Sequence, residues 1–466
     1  MELYDLIIIG AGPAGYVGAI RSAQLGAKVC LIEKENLGGV CLNRGCIPTK
    51  SLVQSARLLH YFRRAEEFGI KISQAPELDL KKALERTHQK VVKTLVRGIE
   101  SLLKSYKVEL KFGTAYFKAK DRVWVKTSQG EEELGAGNFL IATGSSPAQI
   151  PTFPVDGKKI LTSDHLLQLE QVPKSILIIG AGAIGCEWAF ILREFGAEVT
   201  VVEMMPQALP TEDEMVGRLI ARQMKKRKIK LIVGEKIAQV EESPEGICAR
   251  CESGAELRAE KILVSIGRKP NSDNLGLEEL GVERDEQGFI RVNSRMETSA
   301  SGIYASGDVV GGILLAHIAS AEAKVAVSNA LGGKEEMDYQ VVPSVVFTDP
   351  EVASVGLREN QAREKGLNYA CATFPVRALG KAQAMGEIDG EFKLIFEQES
   401  KKLLGAHIIA PEASNLIHEL ALALKVGARL NDIAHTIHAH PTLSEGIMEC
   451  AEAALGKAIH LPKVKI

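Results

Sequence analysis

The apolar run Leu6-Ile7-Ile8-Ile9 ends abruptly at Gly10-Ala11-Gly12-Pro13-Ala14-Gly15. A short continuous apolar stretch closed by glycines predicts a buried strand running into a tight turn. The same pattern returns as Ile176-Leu177-Ile178-Ile179-Gly180-Ala181-Gly182-Ala183-Ile184-Gly185. One offset superposes the three glycines of each copy. It also superposes Gly26-Ala27 on Gly196-Ala197, Val29 on Val199 and Glu33 on Glu203. Each copy therefore predicts a strand, a glycine-rich turn, a helix and a second strand tipped by glutamate.

That is a βαβ dinucleotide-binding pattern, written twice. The first glycine (Gly10, Gly180) permits the turn, and the second (Gly12, Gly182) lets the backbone approach a pyrophosphate. The third (Gly15, Gly185) lets helix and strand pack closely, with the helix N-terminus facing the phosphates. Glu33 and Glu203 are placed to accept a hydrogen bond from a ribose hydroxyl. Glycines alone often mark bland turns, but matched strands and acids at one offset imply two bound dinucleotides. A carboxylate at Glu203 would repel a 2′-phosphate, so the second site should prefer NAD to NADP.

Three further apolar strands end in glycine: Phe139-Leu140-Ile141-Ala142-Thr143-Gly144, Ile262-Leu263-Val264-Ser265-Ile266-Gly267 and Ile303-Tyr304-Ala305-Ser306-Gly307-Asp308. They read as returns of the chain to these units. The expected class is α/β, with two Rossmann-like dinucleotide-binding domains, one inserted in the other. Residues 1–150 and 271–342 form the first, and 151–270 the second. After Pro343 the pattern alternates strands such as Phe392-Lys393-Leu394-Ile395-Phe396 with a helical stretch over 416–424. Residues 343–466 therefore read as a C-terminal α+β domain.

Composition narrows the picture. A chain of 466 residues with 45% hydrophobic and 25% charged residues is that of a multi-domain globular protein. A formal net charge of −2 gives no footprint for nucleic acid or an anionic membrane. No apolar run is long enough to span a bilayer. The first strand pattern begins too early to leave room for a signal peptide, so a cytoplasmic address is expected. Eight cysteines are sparse for a secreted disulfide framework, which makes a close pair more interesting.

Cys41 and Cys46 form such a pair, in Cys41-Leu42-Asn43-Arg44-Gly45-Cys46. Their spacing is wide for a disulfide in a regular helix, and Gly45 and Pro48 are expected to supply the distortion that brings the sulfurs together. A thiol at a helix N-terminus has a lowered pKa. Arg44, between them, adds a cation that would favour thiolate. Two inert buried cysteines are the bland alternative. Cys248-Ala249-Arg250-Cys251 has CxxC spacing but sits in a hairpin strand, where residues three apart face opposite sides. Cys30, Cys186, Cys371 and Cys450 read as core or surface thiols.

The segment Gly38-Gly39-Val40-Cys41-Leu42-Asn43-Arg44-Gly45-Cys46-Ile47-Pro48-Thr49-Lys50 resembles the active-site signature of the flavin-dependent disulfide reductases, most closely their dihydrolipoamide dehydrogenase branch. The resemblance covers the whole chain, through both glycine turns, Ala142-Thr143-Gly144, Gly307-Asp308 and His438-Ala439-His440-Pro441-Thr442-Leu443-Ser444-Glu445. It implies a glutathione reductase-like fold with FAD at the first turn and NAD at the second. Cys46 would be the sulfur next to the flavin and Cys41 the one exchanging with substrate. Lys50 would lie by the flavin ring, paired with Glu187. Asp308 would bind the ribityl–phosphate region, the Ala316-His317 backbone the pyrimidine edge, and the backbone at Ala115 the adenine. Thr143, Gly144 and Gly267 belong to the cofactor-binding turns.

The same resemblance makes His440 a general base oriented by Glu445 and carried into the partner's active site across a two-fold axis, so a homodimer with an interface domain at 343–466 is implied. It further implies the oxidation of dihydrolipoamide to lipoamide through a Cys41–Cys46 disulfide and FAD, with reduction of NAD⁺. The lipoyl group would be presented by an acyltransferase or carrier protein of a 2-oxoacid dehydrogenase or glycine cleavage complex. His435, His438 and His440 lack the carboxylate or cysteine that would complete a metal set. Glutathione-type reductases use NADPH, at odds with Glu203. Mercuric reductase relatives carry a C-terminal cysteine pair that this sequence lacks. A flavin-binding scaffold is a different class of reading, but it would need none of Cys41, Cys46, His440 and Glu445.

Overall fold

A computed structural model describes residues 3–243 and 246–462. Strand β1 (Leu3–Ile9), helix α1 (Pro13–Gln24) and strand β2 (Val29–Glu33) form the first βαβ entry. Helix α2 (Gly39–Asn43) and helix α3 (Cys46–Arg63) follow. Strands β3 (Glu109–Phe112), β4 (Thr114–Ala119), β5 (Arg122–Thr127) and β6 (Gly130–Ile141) complete the first sheet in the order β3-β2-β1-β6-β5-β4. The long β6 serves two partners: its start pairs antiparallel with β5, and its end runs parallel to β1 and to the returning strand Ile303–Ala305.

The unbroken apolar run of β1 has a direct cause. Ile7 and Ile9 pack into one core, and Leu6 and Ile8 into another on the opposite face. A parallel strand covered on both faces has no solvent side to keep polar. The second unit repeats this. Its five strands lie in the order Lys230–Val233, Glu198–Glu203, Ser175–Ile179, Lys261–Val264 and Ile160–Leu161, all parallel. Ile176 and Ile178 enter one core, Leu177 and Ile179 the other. All five strands fall between the two visits of the chain to the first sheet.

Two antiparallel strands, Ser145–Pro147 and Arg268–Pro270, are paired where the chain leaves the first unit and comes back. A three-stranded antiparallel sheet (Ile237–Ser243, Gly246–Cys251, Glu256–Ala259) accompanies the second unit. Beyond it lies a five-stranded antiparallel sheet built from Ser344–Val346, Glu351–Gly356, Leu403–Ala410, Glu391–Glu397 and Tyr369–Pro375. Helices Ala413–Lys425 and Glu445–Ala454 pack on it, closing a separate core around Phe374, Phe392 and Ile447. No helix among the described residues is long and apolar enough to cross a membrane.

Candidate active site

The two glycine turns are built alike. A Cβ on Gly10 would sit 2.4 Å from the Ala142 carbonyl oxygen, and one on Gly15 only 1.7 Å from that of Gly10. In the second turn Gly180 and Gly185 meet Ser265 and Gly180 carbonyl oxygens at 2.5 and 1.9 Å. The protein's own packing therefore demands the first and third glycines. The middle ones differ: Gly182 faces open space and Gly12 makes only an ordinary contact. Both cap a helix N-terminus without a side-chain cap, leaving backbone N–H groups directed outward. Unfilled space over free amides is a cradle for a pyrophosphate, so both turns fit a dinucleotide.

Glu33 and Glu203 are buried, and their partners extend the expected role. Glu33 Oε2 accepts from the Ala11 amide at 2.7 Å and Oε1 from that of Glu35 at 2.8 Å. Glu203 repeats the geometry with Ala181 at 2.7 Å and Met205 at 2.8 Å. Each acid thus clamps its own glycine turn to the following strand end, and each oxygen keeps a lone pair for a ribose hydroxyl. The strand carrying the buried Ala115 is drawn to the same place by the Gly113 amide, which donates to the Glu33 carbonyl at 2.8 Å.

The cysteine segment is fastened onto the first turn. The Gly38 amide donates to the Ala11 carbonyl at 2.8 Å. Gly39 adopts φ +57°, where a Cβ would fall 2.7 Å from the Gly12 Cα. Cys41 lies within α2, the helix breaks at Arg44-Gly45, and Cys46 opens α3. The break rests on Gly45. Pro48 sits in the first turn of α3, where a missing N–H costs nothing, and does not distort it. Both cysteines are half-buried free thiols.

A hydrogen bond from the Cys41 thiol is the main cause that lowers Cys46, to about 7, against the opposing effect of burial. The Lys50 charge acts in the same direction. The Cys41 thiol is pushed far up by the same hydrogen bond and by burial. Within the reduced pair, Cys41 is therefore the sulfur that keeps its proton and Cys46 the one that gives it up first. Lys50 Nζ is bound to both oxygens of the buried Glu187, at 2.8 and 2.9 Å, and lies 4.6 Å from the centre of the Phe347 ring. The Phe347 amide completes the Glu187 Oε1 shell at 2.9 Å.

Arg44 is engaged elsewhere. Its guanidinium lies 2.9 Å from Glu35 and 3.7 Å from Asp164, and Lys50 is the cation acting on Cys46. The expectation that Arg44 favours the thiolate is corrected accordingly. Tyr16 of α1 was not singled out by sequence; burial raises its phenol, and Cys41 adds to the effect.

Asp308 accepts a hydrogen bond from Ser145 Oγ at 2.5 Å and lies 3.6 Å from Arg268 Nε. Arg268 in turn donates to Ser145 Oγ and to its carbonyl at 2.6 and 2.7 Å. Thr143 and Asn271 exchange two hydrogen bonds, at 2.7 and 2.9 Å, and the Asn271 amide donates to the Gly144 carbonyl at 2.9 Å. Glu322, buried in the helix Ala316–Ala330, accepts from the Gly307 amide at 2.7 Å and from Tyr339 at 2.6 Å. Arg268, Asn271 and Glu322 were missed; Gly267-Arg268-Lys269-Pro270-Asn271, directly after a strand, was the available signal. Gly267 takes φ +121° facing open space, and Ala316 opens its helix without a side-chain cap.

His440 and Glu445 meet at the far end of the chain. His440 Nδ1 lies 2.9 Å from Glu445 Oε1, while Glu445 Oε2 accepts from the Thr442 amide at 2.8 Å. Burial opposes but the Thr442 amide and His440 prevail, so the Glu445 carboxyl is held below its usual range. The ring is exposed, its Nε2 has no partner among the described residues, and nothing joins it to Cys41 or Cys46 within one chain. His438 is instead tied to Glu419 at 3.1 Å. Cys251 is buried while Cys248 lies on the other face of its strand.

Known proteins share this arrangement. Residues 4–323 match the pyridine nucleotide-disulphide oxidoreductase family, and residues 342–451 its dimerisation domain. The chain is 46% identical to the dihydrolipoyl dehydrogenase of Thermus scotoductus, covering 99% of both chains. It is 42% identical to that of Geobacillus stearothermophilus, over 98% of this chain and 97% of the other. Among solved structures, LpdA of Mycobacterium tuberculosis superposes with a TM-score of 0.90 at 28% identity, over 96% of this chain and 99% of that one. The flavoprotein disulfide reductase RclA of Escherichia coli gives 0.88 at 28% identity, over 97% and 100%. Two glycine cradles, a cysteine pair fastened to one of them and a C-terminal dimerisation sheet have one common origin: the chain belongs to the pyridine nucleotide-disulphide oxidoreductase family.

Proposed function

We propose that this chain is a dihydrolipoamide dehydrogenase, oxidising protein-bound dihydrolipoamide to lipoamide and reducing NAD⁺. The observation that carries the reading is the cysteine pair fastened to the first glycine cradle, with Lys50, bound to the buried Glu187, one turn past Cys46. Residues 1–150 and 271–342 are assigned to FAD, 151–270 to NAD, and 343–466 to the interface of a homodimer. Gly10, Gly12, Gly15, Glu33, Ala115, Thr143, Gly144, Asp308 and Ala316 would hold FAD, with Lys50 and Glu187 at its ring. Gly180, Gly182, Gly185, Glu203 and Gly267 would hold NAD.

In the oxidised enzyme Cys41 and Cys46 form a disulfide. A small dithiol is mostly protonated near neutral pH, so its attack needs a base. His440 of the partner subunit takes the first thiol proton at Nε2, with Glu445 holding the ring and stabilising its charge. The substrate thiolate attacks Cys41, the Cys41–Cys46 bond breaks, and Cys46 leaves as the thiolate that Lys50 favours. The second substrate thiol then attacks the sulfur bonded to Cys41, closing the cyclic disulfide. Cys41 departs and takes up the proton. When bound, FAD and NAD⁺ carry the electron pair away from the dithiol.

The lipoyl group would arrive on an acyltransferase or carrier protein of a 2-oxoacid dehydrogenase or glycine cleavage complex. A cytoplasmic location is inferred, since a cycling dithiol belongs in a reducing compartment. Steady-state assays of the purified holoenzyme test the reading. Rapid dihydrolipoamide oxidation with NAD⁺, slower with NADP⁺, is expected. Turnover of glutathione disulfide with NADPH in preference would overturn it.

A further inference from the structure

After the helix Glu445–Ala454 the chain turns back on itself. Gly456 adopts φ +71° and donates to the Ala453 carbonyl, and the Lys457 amide donates to that of Glu452 at 2.8 Å. This helix stop sends the following residues back along the helix they have just left. His460 consequently lies beside Glu449, with Nδ1 2.5 Å from Glu449 Oε1. Glu449 is buried, whereas the His460 ring is exposed. The second carboxylate oxygen of Glu449 is buried with no partner among the described residues.

Glu445 and Glu449 are four residues apart on one helix, so their Cβ atoms are about 6 Å from each other on the same face. Each holds an exposed imidazole through Nδ1: His440 on Glu445, His460 on Glu449. The two histidines arrive from opposite ends of the helix. Glu445 also acts on His460 directly, adding to Glu449 in raising its proton affinity.

We propose that His460 and Glu449 are a second imidazole–carboxylate pair of the dithiol site, through which the charge on His460 governs how readily His440 accepts the substrate proton. This rests on the reading of His440 as the base. A positive charge on His460, held by a carboxylate one helical turn along from the one that holds His440, opposes the gain of a second positive charge there. Glu445 faces His438 as well as His440, and His438 is itself bound to Glu419 of the helix Ala413–Lys425. His460 also feels Glu452 on its own helix. On the side of the helix Gly380–Met385, the backbone at Gly380 lies against the His440 ring, with Lys381 next in the chain.

His460 is thus a positioning residue, acting on the base and not on substrate. The experiment is the pH profile of kcat/KM for dihydrolipoamide oxidation by the full-length holoenzyme, comparing wild type, His460→Gln and His460→Lys. The glutamine variant loses the cation and leaves the Glu449 charge uncompensated, so its acid limb should move up by about half a pH unit, or threefold in rate on that limb. The lysine variant carries a fixed cation and should return the limb to the wild-type position or below it. Identical acid limbs in all three proteins, with flavin content and Tm unchanged, would overturn the proposal. A His440→Gln variant with wild-type rate and acid limb would instead remove the base itself, a distinct failure.

Discussion

Lys50 and Glu187 join the two halves of the redox centre: Lys50 lies one turn past Cys46 on α3, and Glu187 lies one turn into the helix that follows the second glycine cradle. The ion pair therefore ties the thiolate segment to the second nucleotide unit. It is largely buried, with the Phe347 ring over the ammonium and the Phe347 amide on the carboxylate. Replacing Lys50 with Met leaves the Glu187 charge without its partner, which costs about 3 kcal/mol. Thermal or denaturant unfolding of the holoenzyme should show that loss. A Glu187→Gln, Lys50→Met double variant should recover most of it.

The thiolate itself is measurable. Cys46 lowered to about 7 predicts that alkylation of the reduced enzyme by iodoacetamide rises through pH 7, where an ordinary thiol would still be mostly protonated. Because Lys50 contributes to the lowering, the rise should move to higher pH in Lys50→Met. Cys41→Ala removes the hydrogen-bond donor and should move it the same way. A reactivity profile centred near pH 9 in the wild type would contradict this polarisation.

Much of this centre could be read from the sequence because its determinants are local. An apolar run ending in Gly-x-Gly, a glutamate at the next strand end and two cysteines around Gly45 all lie within short stretches. The clip around Asp308 was not legible. Arg268 reaches Ser145 across 123 residues of sequence, and Thr143 meets Asn271 across 128, through the pairing of Ser145–Pro147 with Arg268–Pro270. Arg44 was misread for the same reason. Its neighbours in sequence are the cysteines, but its neighbours in space are Glu35 and Asp164, the latter brought by the second unit. The apolar pattern identifies a strand covered on both faces, and it carries no information about which distant polar groups meet at its end.

Glu203 connects cofactor choice to backbone geometry. Its carboxylate clamps the Ala181 and Met205 amides, so Glu203→Ala removes two charge-assisted hydrogen bonds along with the proposed ribose acceptor. The KM for NAD⁺ should rise at least about tenfold, corresponding to one hydrogen bond to a charged group. NADP⁺ use should not improve in proportion, because the turn that cradles the pyrophosphate loosens as well.

Glu322 sets a pH dependence of stability. Burial raises its carboxyl above the usual range, despite the Tyr339 and Gly307 hydrogen bonds, and Asp308 adds to the rise. The folded pKa exceeds the unfolded one, so the contribution is fully present below the unfolded value of about 4.3 and is lost as pH rises through the folded value. Glu322→Gln keeps an acceptor for the Gly307 amide and has no charge to bury. Its Tm relative to wild type should therefore be more favourable at pH 7 than at pH 4. A difference in Tm independent of pH would count against a burial-raised carboxyl.

With His440 proposed as the base, Glu445 separates the dithiol half-reaction from the nucleotide half-reaction. It fixes the His440 ring through Nδ1 and is itself anchored by the Thr442 amide, leaving Nε2 free to take a proton. Glu445→Gln keeps the shape but removes the charge that stabilises the imidazolium. Dihydrolipoamide oxidation should fall about 100-fold at neutral pH, the lower end of what a positioned base supplies. NADH-driven reduction of ferricyanide passes electrons from nucleotide to flavin without using the thiol proton, so it should stay within about twofold of wild type. The pair of assays, run on one preparation, distinguishes a lost base from a damaged fold: equal losses in both would mean that Glu445 matters only for structure.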